Sequence, residues 1–202
     1  MTAKQWHLAL LLSFIGILVW SGYDPKDRLV WGLEVFPAII GAVVLVAIYR
    51  RVKLTMLLYC LIWLHALVLM IGGHWTYAEM PLFSWLRDTF DHDRNYYDRV
   101  GHFMQGFVPA MIAREVLLRN MIVLRRSWLF FLVCCVALAV SASYEFLEWW
   151  VALASGSAAD EFLATQGDVW DTQWDMFLAL CGAIVAQLLL SRWHDGQLKG
   201  LK

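Results

Sequence analysis

The chain has 202 residues, of which 61% are hydrophobic and only 16% charged. With a positive mean hydropathy, this composition excludes an ordinary soluble domain, in which about a quarter of the residues carry charge. The net charge of −1 says nothing by itself about a nucleic-acid partner, but no long basic run offers one a surface, and membrane lipids are the expected surroundings.

Taken in chain order, apolar runs near 6–22, 30–49, 54–73, 99–118, 128–151 and 172–191 are each long enough to cross about 30 Å of hydrocarbon. Backbone polar groups in lipid must pair within their own segment, so the runs predict helices, and the alternation of a β-barrel is absent. The fold class that follows is all-α: a polytopic transmembrane bundle of about six helices, forming one integral membrane domain over 1–202. No repeat or low-complexity stretch interrupts it. A small-residue cleavage site is missing after the first run, which therefore reads as a retained span rather than a signal peptide. Trp20, Tyr23, Trp31, Tyr49, Trp75, Tyr77, Trp128, Trp149, Trp150 and Trp170 cluster at run ends, where amphipathic rings suit the interface. Cys60, Cys134, Cys135 and Cys181 lie inside apolar runs without metal or disulfide spacing and read as small core residues.

Basic residues set the expected orientation. Lys4, Arg50, Arg51, Lys53, Arg114, Arg119, Arg125, Arg126, Arg192, Lys199 and Lys202 all adjoin alternate ends of the runs, which predicts both termini on the cytoplasmic side of the membrane. The opposite segments, near 23–28, 74–98 and 152–171, hold or adjoin nearly all the acids. Within the outer loop 74–98, Pro81 to Arg87 forms a short amphipathic stretch suited to an interfacial anchor or lid.

Three polar stripes converge on the outer side. Asp98, His102 and Gln105 stand at i, i+4 and i+7, so one helical face presents all three. Glu145 and Glu148 share a face near the outer end of the fifth run, after the small residues Ser141, Ala142 and Ser143. Asp168, Asp171 and Asp175 open the sixth at i, i+3 and i+7. Since the fourth and sixth runs enter from outside and the fifth exits there, the stripes reach one depth and can share a pocket.

Carboxylates at that depth must bind a cation, pair with arginine or take up protons. One histidine with several carboxylates suits a divalent metal ion (Mg²⁺, Mn²⁺, Ca²⁺ or Zn²⁺), and the absence of cysteine excludes a thiolate site. The candidate metal ligands are Asp98, His102, Glu145, Glu148, Asp168, Asp171 and Asp175. His102, Glu148 and Asp171 are the candidate catalytic groups, able to activate water against an ester or phosphoester. Gln105, Arg94, Arg99 and His74 are candidate substrate contacts. No organic cofactor is implied. The competing reading is that Arg94 and Arg99 merely pair with these acids and lock helices together. Asp88, Asp91, His92, Asp93, Arg94 and Asn95 have a metal-like composition, but lie in a loop where charge is usually solvated. His65 reads as a core histidine, and Glu34, just before Pro37, as an interface acid or a further pocket wall.

The order Asp98…His102-Phe103, then Glu145 and Glu148, then Asp171…Asp175 with Gly182, resembles the VanZ-like superfamily of small bacterial membrane proteins over roughly the last 100 residues. It departs from that pattern in Arg99 for a lysine, Asp175 for an asparagine and Leu178 for the first glycine. Over its whole length the sequence is similar to the YjdF family of bacterial inner-membrane proteins. The resemblance implies a location and names no substrate. Three function classes stay open. The first is a periplasmic-side, cation-binding hydrolase or transferase acting on an envelope lipid or isoprenoid-linked substrate. The second is a small carrier or proton-coupled permease, and the third a structural or partner-binding membrane protein.

Overall fold

A computed structural model describes residues 2–123, 125–155 and 165–201, with only the backbone of Ser155. The described residues form seven α-helices and no strand: α1 (Ala3–Gly22), α2 (Arg28–Ile48), α3 (Met56–His74), α4 (Pro81–Phe90), α5 (Tyr97–Arg119), α6 (Arg126–Ser155) and α7 (Asp171–Lys199). Asp160 and Glu161, counted above with the outer acids, lie outside the described residues.

Among the described residues, five helices, α1, α2, α3, α6 and α7, are long and apolar enough to cross a membrane. The sixth expected run forms a helix, α5, of 23 residues, but with Asp98, Arg99, Arg114, Glu115 and Arg119 in it α5 is not among those five. The surface fits a hydrocarbon solvent. Val43, Leu188 and Leu189 are more than 60% exposed, whereas Arg94, Asp98, His102, Arg114, Glu115, Asp171, Asp175 and His194 are buried. In water that arrangement would expose apolar area at about 25 cal/mol per Å² while desolvating charge; in lipid both preferences reverse.

The chain divides into two compact units, Met1–Lys53 with Tyr59–Asp98, and Leu54–Leu58 with Arg99–Lys202. In the first, Phe14 of α1, Val35 and Ala38 of α2, and Ala66 and Met70 of α3 form the core. Hydroxyls tie these helices, since Trp63 donates to Ser13 Oγ at 3.0 Å and Trp31 to Ser21 Oγ at 3.2 Å. Such bonds hold helices together where lipid offers no hydrophobic drive to associate. Helix α4 buries none of its residues and leaves Leu82, Trp85 and Phe90 outward, the anchor-like arrangement expected of its sequence. Fully buried Asn95 fastens α4 to the start of α5: its amide donates to Met80 O and Ser84 Oγ, both at 3.0 Å, and its oxygen accepts from Tyr97 N at 3.1 Å.

In the second unit α5 and α7 run parallel, Arg99 meeting Asp171 and Arg114 meeting Asp195, and α6 runs antiparallel to them, with Glu145 near His102 and Phe130 near Gln187. Gly106 and Gly182 explain how closely α5 and α7 approach. A Cβ on Gly106 would overlap the Ala179 backbone, and one on Gly182 the Phe103 carbonyl. Small residues permit this backbone contact. Ala110, Val133, Ala137 and Ala183 then form an apolar layer across all three helices.

Two expectations about individual residues need correction. Cys60 and Cys135 are exposed, Cys181 is half-buried and only Cys134 is buried, because an apolar run in lipid does not reveal which face points inward. Tyr77 is 4% exposed, turned inward rather than lying at the interface, and stacks edge-on against Tyr97.

Candidate functional site

The first turn of α7 and the first turns of α5 build the polar end of the second unit. The guanidinium of Arg99 sits among three carboxylates, 3.0 Å from Asp168 and 2.7 Å from Asp171, and also bonded to Asp175. It donates to the Asp171 carbonyl as well, at 3.3 Å. The i, i+3, i+7 spacing of the three acids, read from the sequence, is what brings them to one partner.

One turn deeper, His102 faces α6 and α7. Its Nδ1 lies 3.0 Å from Gln105 Oε1 and 3.8 Å from Glu145, and its Nε2 lies 3.7 Å from Asp175. A carbonyl oxygen can only accept, so Nδ1 carries the proton toward Gln105, and in the neutral ring Nε2 bears the lone pair on the Asp175 side. Pro109 has no N–H to donate to the Gln105 carbonyl, which leaves α5 one internal hydrogen bond short beside the site. Glu145 and Glu148, one helical turn apart on α6, are both buried.

The structure thus brings Arg99, His102, Gln105, Glu145, Asp168, Asp171 and Asp175 together, with Glu148 buried on the same helix as Glu145. Asp98 stands one turn before His102 on α5 and is buried, with Arg94 as a partner at 3.4 Å. His74 is engaged by α1: its Nδ1 lies 2.9 Å from the Ser21 carbonyl, and its ring stacks on Trp20. The loop of metal-like composition splits in two. Asp88, Asp91, His92 and Asp93 are exposed, with Asp88 paired to Arg87, while Arg94 and Asn95 turn inward. Glu34 is buried on α2 and His65 half-buried on α3.

Sequence reasoning missed a second polar network at the other end of α5 and α7. Glu115, wholly buried, accepts from Thr55 Oγ1 at 2.7 Å and Thr55 N at 3.2 Å, and pairs with His194 at 2.9 Å and Arg119 at 2.8 Å. Arg114 bonds His194 Nδ1 at 2.7 Å and Asp195 at 2.6 Å. Gln197 accepts from Leu57 N at 3.0 Å. Glu115 and Gln197 therefore satisfy amides at the start of α3, where a helix N-terminus favours negative charge. The only local signal was the Glu115–Arg119 spacing of four residues.

Five helices long and apolar enough to cross a membrane, with charged side chains buried among the described residues, define the class: a multi-pass membrane protein. The family model described as "Predicted membrane protein (DUF2238)" matches residues 6–196, and the chain belongs to that family. It is 53% identical over 188 residues to the protein named "Inner membrane protein YjdF" from Escherichia coli (strain K12), covering 93% of this chain and 90% of that protein. No solved structure matches it.

Proposed function

We propose that the Arg99–His102 end of the second unit is a periplasmic-side, divalent-cation site of an inner-membrane protein whose termini both lie in the cytoplasm, serving hydrolysis or group transfer on an envelope lipid or isoprenoid-linked substrate. One observation carries the reading. His102 Nε2 and an Asp175 oxygen are 3.7 Å apart, too far for a hydrogen bond, but close to the edge of a coordination sphere, roughly 3–3.5 Å for ligand bonds of about 2.1 Å. Gln105 fixes the ring from its other nitrogen, as partners behind metal-bound histidines do.

In this reading His102 Nε2 and Asp175 would hold the ion, with Asp98 one turn earlier on α5 and Glu145 beside the other ring nitrogen. Asp168 and Asp171 keep Arg99 oriented toward an anionic substrate group. Glu148 or Asp171 takes the proton of the attacking water and returns it to the leaving oxygen as the ester bond breaks. The apolar layer of Ala110, Val133, Ala137 and Ala183 argues against a continuous polar path and so against the carrier reading. The structural reading draws support from Arg99, whose three carboxylate partners already neutralise it.

Elemental analysis and Mn²⁺ titration of the purified chain test the proposal. About one divalent ion per chain is expected, with affinity at least tenfold weaker in His102→Ala and in Asp175→Asn; an ion-free wild type that ignores added Mn²⁺ defeats it. For the orientation, a reporter inserted near Asp91 is expected to read as periplasmic and one fused after Lys202 as cytoplasmic.

A further inference from the structure

The network at the far end of the second unit borders a cleft of about 530 Å³ whose lining divides by chemistry. Arg114, Arg119, Arg126 and Lys199 line it with a single acid, Asp195, while Leu118, Leu129 and Leu198 supply apolar wall. Arg114 is the inner cation: its side chain is 7% exposed, and it is held in place by His194 and Asp195. Arg126, 91% exposed, meets Asp195 only at 3.7 Å, and Lys199 is also exposed. Even after Asp195 is subtracted, and buried Glu115 is assigned to Arg119, the cleft keeps an excess of positive charge.

Cations of this kind, one buried and preorganised and two at the rim, match a phosphate, which arginine binds through paired N–H donors. The leucine wall on the same cleft matches hydrocarbon. Basic pockets between transmembrane helices accept anionic lipid head groups on this principle. We infer that the Arg114–Arg126–Lys199 cleft binds the phosphate of an anionic phospholipid, with an acyl chain along Leu118, Leu129 and Leu198. The site is separate from the acid-rich end and does not depend on the metal reading.

Native mass spectrometry and fluorescence titration of the full chain in neutral detergent test this, with phosphatidylglycerol, phosphatidylcholine and inorganic phosphate as probes. Phosphatidylglycerol is expected to bind in preference to phosphatidylcholine and to resist competition by inorganic phosphate. Arg126→Ala and Lys199→Ala are each expected to weaken it about fivefold, the scale set by one basic residue near a lipid surface. Both side chains are exposed, so these variants keep the fold, which circular dichroism checks. Arg125→Ala with Arg192→Ala removes the same charge outside the cleft and is expected to change binding less than twofold. Equal binding of the two lipids, or a loss in combined Arg126→Ala and Lys199→Ala no greater than in combined Arg125→Ala and Arg192→Ala, overturns the assignment. Displacement of lipid by inorganic phosphate overturns the lipid source and leaves a soluble phosphate as the ligand.

Discussion

At one end of α5 and α7 a single arginine is crowded by carboxylates; at the other a single buried carboxylate is held by a threonine, a histidine and an arginine. Arg99 meets Asp168, Asp171 and Asp175, whereas Glu115 meets Thr55, His194 and Arg119. The two ends also differ in redundancy. Any one acid around Arg99 can be removed and two remain, but nothing stands in for Glu115, which also caps the start of α3. The contrast separates an end that can exchange its counter-charge from one whose partners fix the fold.

The largest effect that would sharpen this contrast is Glu115→Ala. Losing the acceptor leaves His194 and Arg119 without their buried partner, and about 3–5 kcal/mol of stability should go with it, measured by denaturant unfolding in micelles. Arg99→Met should be milder, about 2 kcal/mol, because Asp168 is partly exposed and carboxylates can take up protons. Added Mn²⁺ should restore part of that loss, and a loss as large as that of Glu115→Ala with no restoration would erase the distinction between the ends. Asp175→Asn should shift stability by no more than about 1 kcal/mol, since Asp168 and Asp171 still hold Arg99, while cation affinity drops. Smallest of all, Asp88→Asn should stay within about 0.5 kcal/mol, because its pair with Arg87 is solvent-screened.

The helices were legible because lipid demands long apolar runs, and their ends shifted by a few residues where polar turns continue them, as α7 does to Lys199. The acid-rich end was legible because its residues repeat at helical spacings within each segment. What could not be read was which arginine the α7 acids shared, since Arg94 and Arg99 are five residues apart and only tertiary packing brings Asp168, Asp171 and Asp175 to Arg99, while Asp98 pairs locally with Arg94. The Glu115 network was hidden for a related reason: Thr55, Glu115, His194 and Gln197 come from three distant segments, with little local pattern to link them. Gly182, singled out by motif, has its reason in the backbone contact with Phe103.

The polarity of α5 bears on how the protein is made. A helix carrying Asp98, Arg99, His102, Arg114 and Glu115 gains little by leaving the translocon alone, since acids and arginines each oppose partitioning by a few kcal/mol. The partners that offset this from Arg99 onward lie largely on α7, the last helix in the chain. Were α5 to cross the membrane, its insertion would wait on α7, and ribosome-bound chains that stop short of α7 would be expected to hold it at the membrane surface.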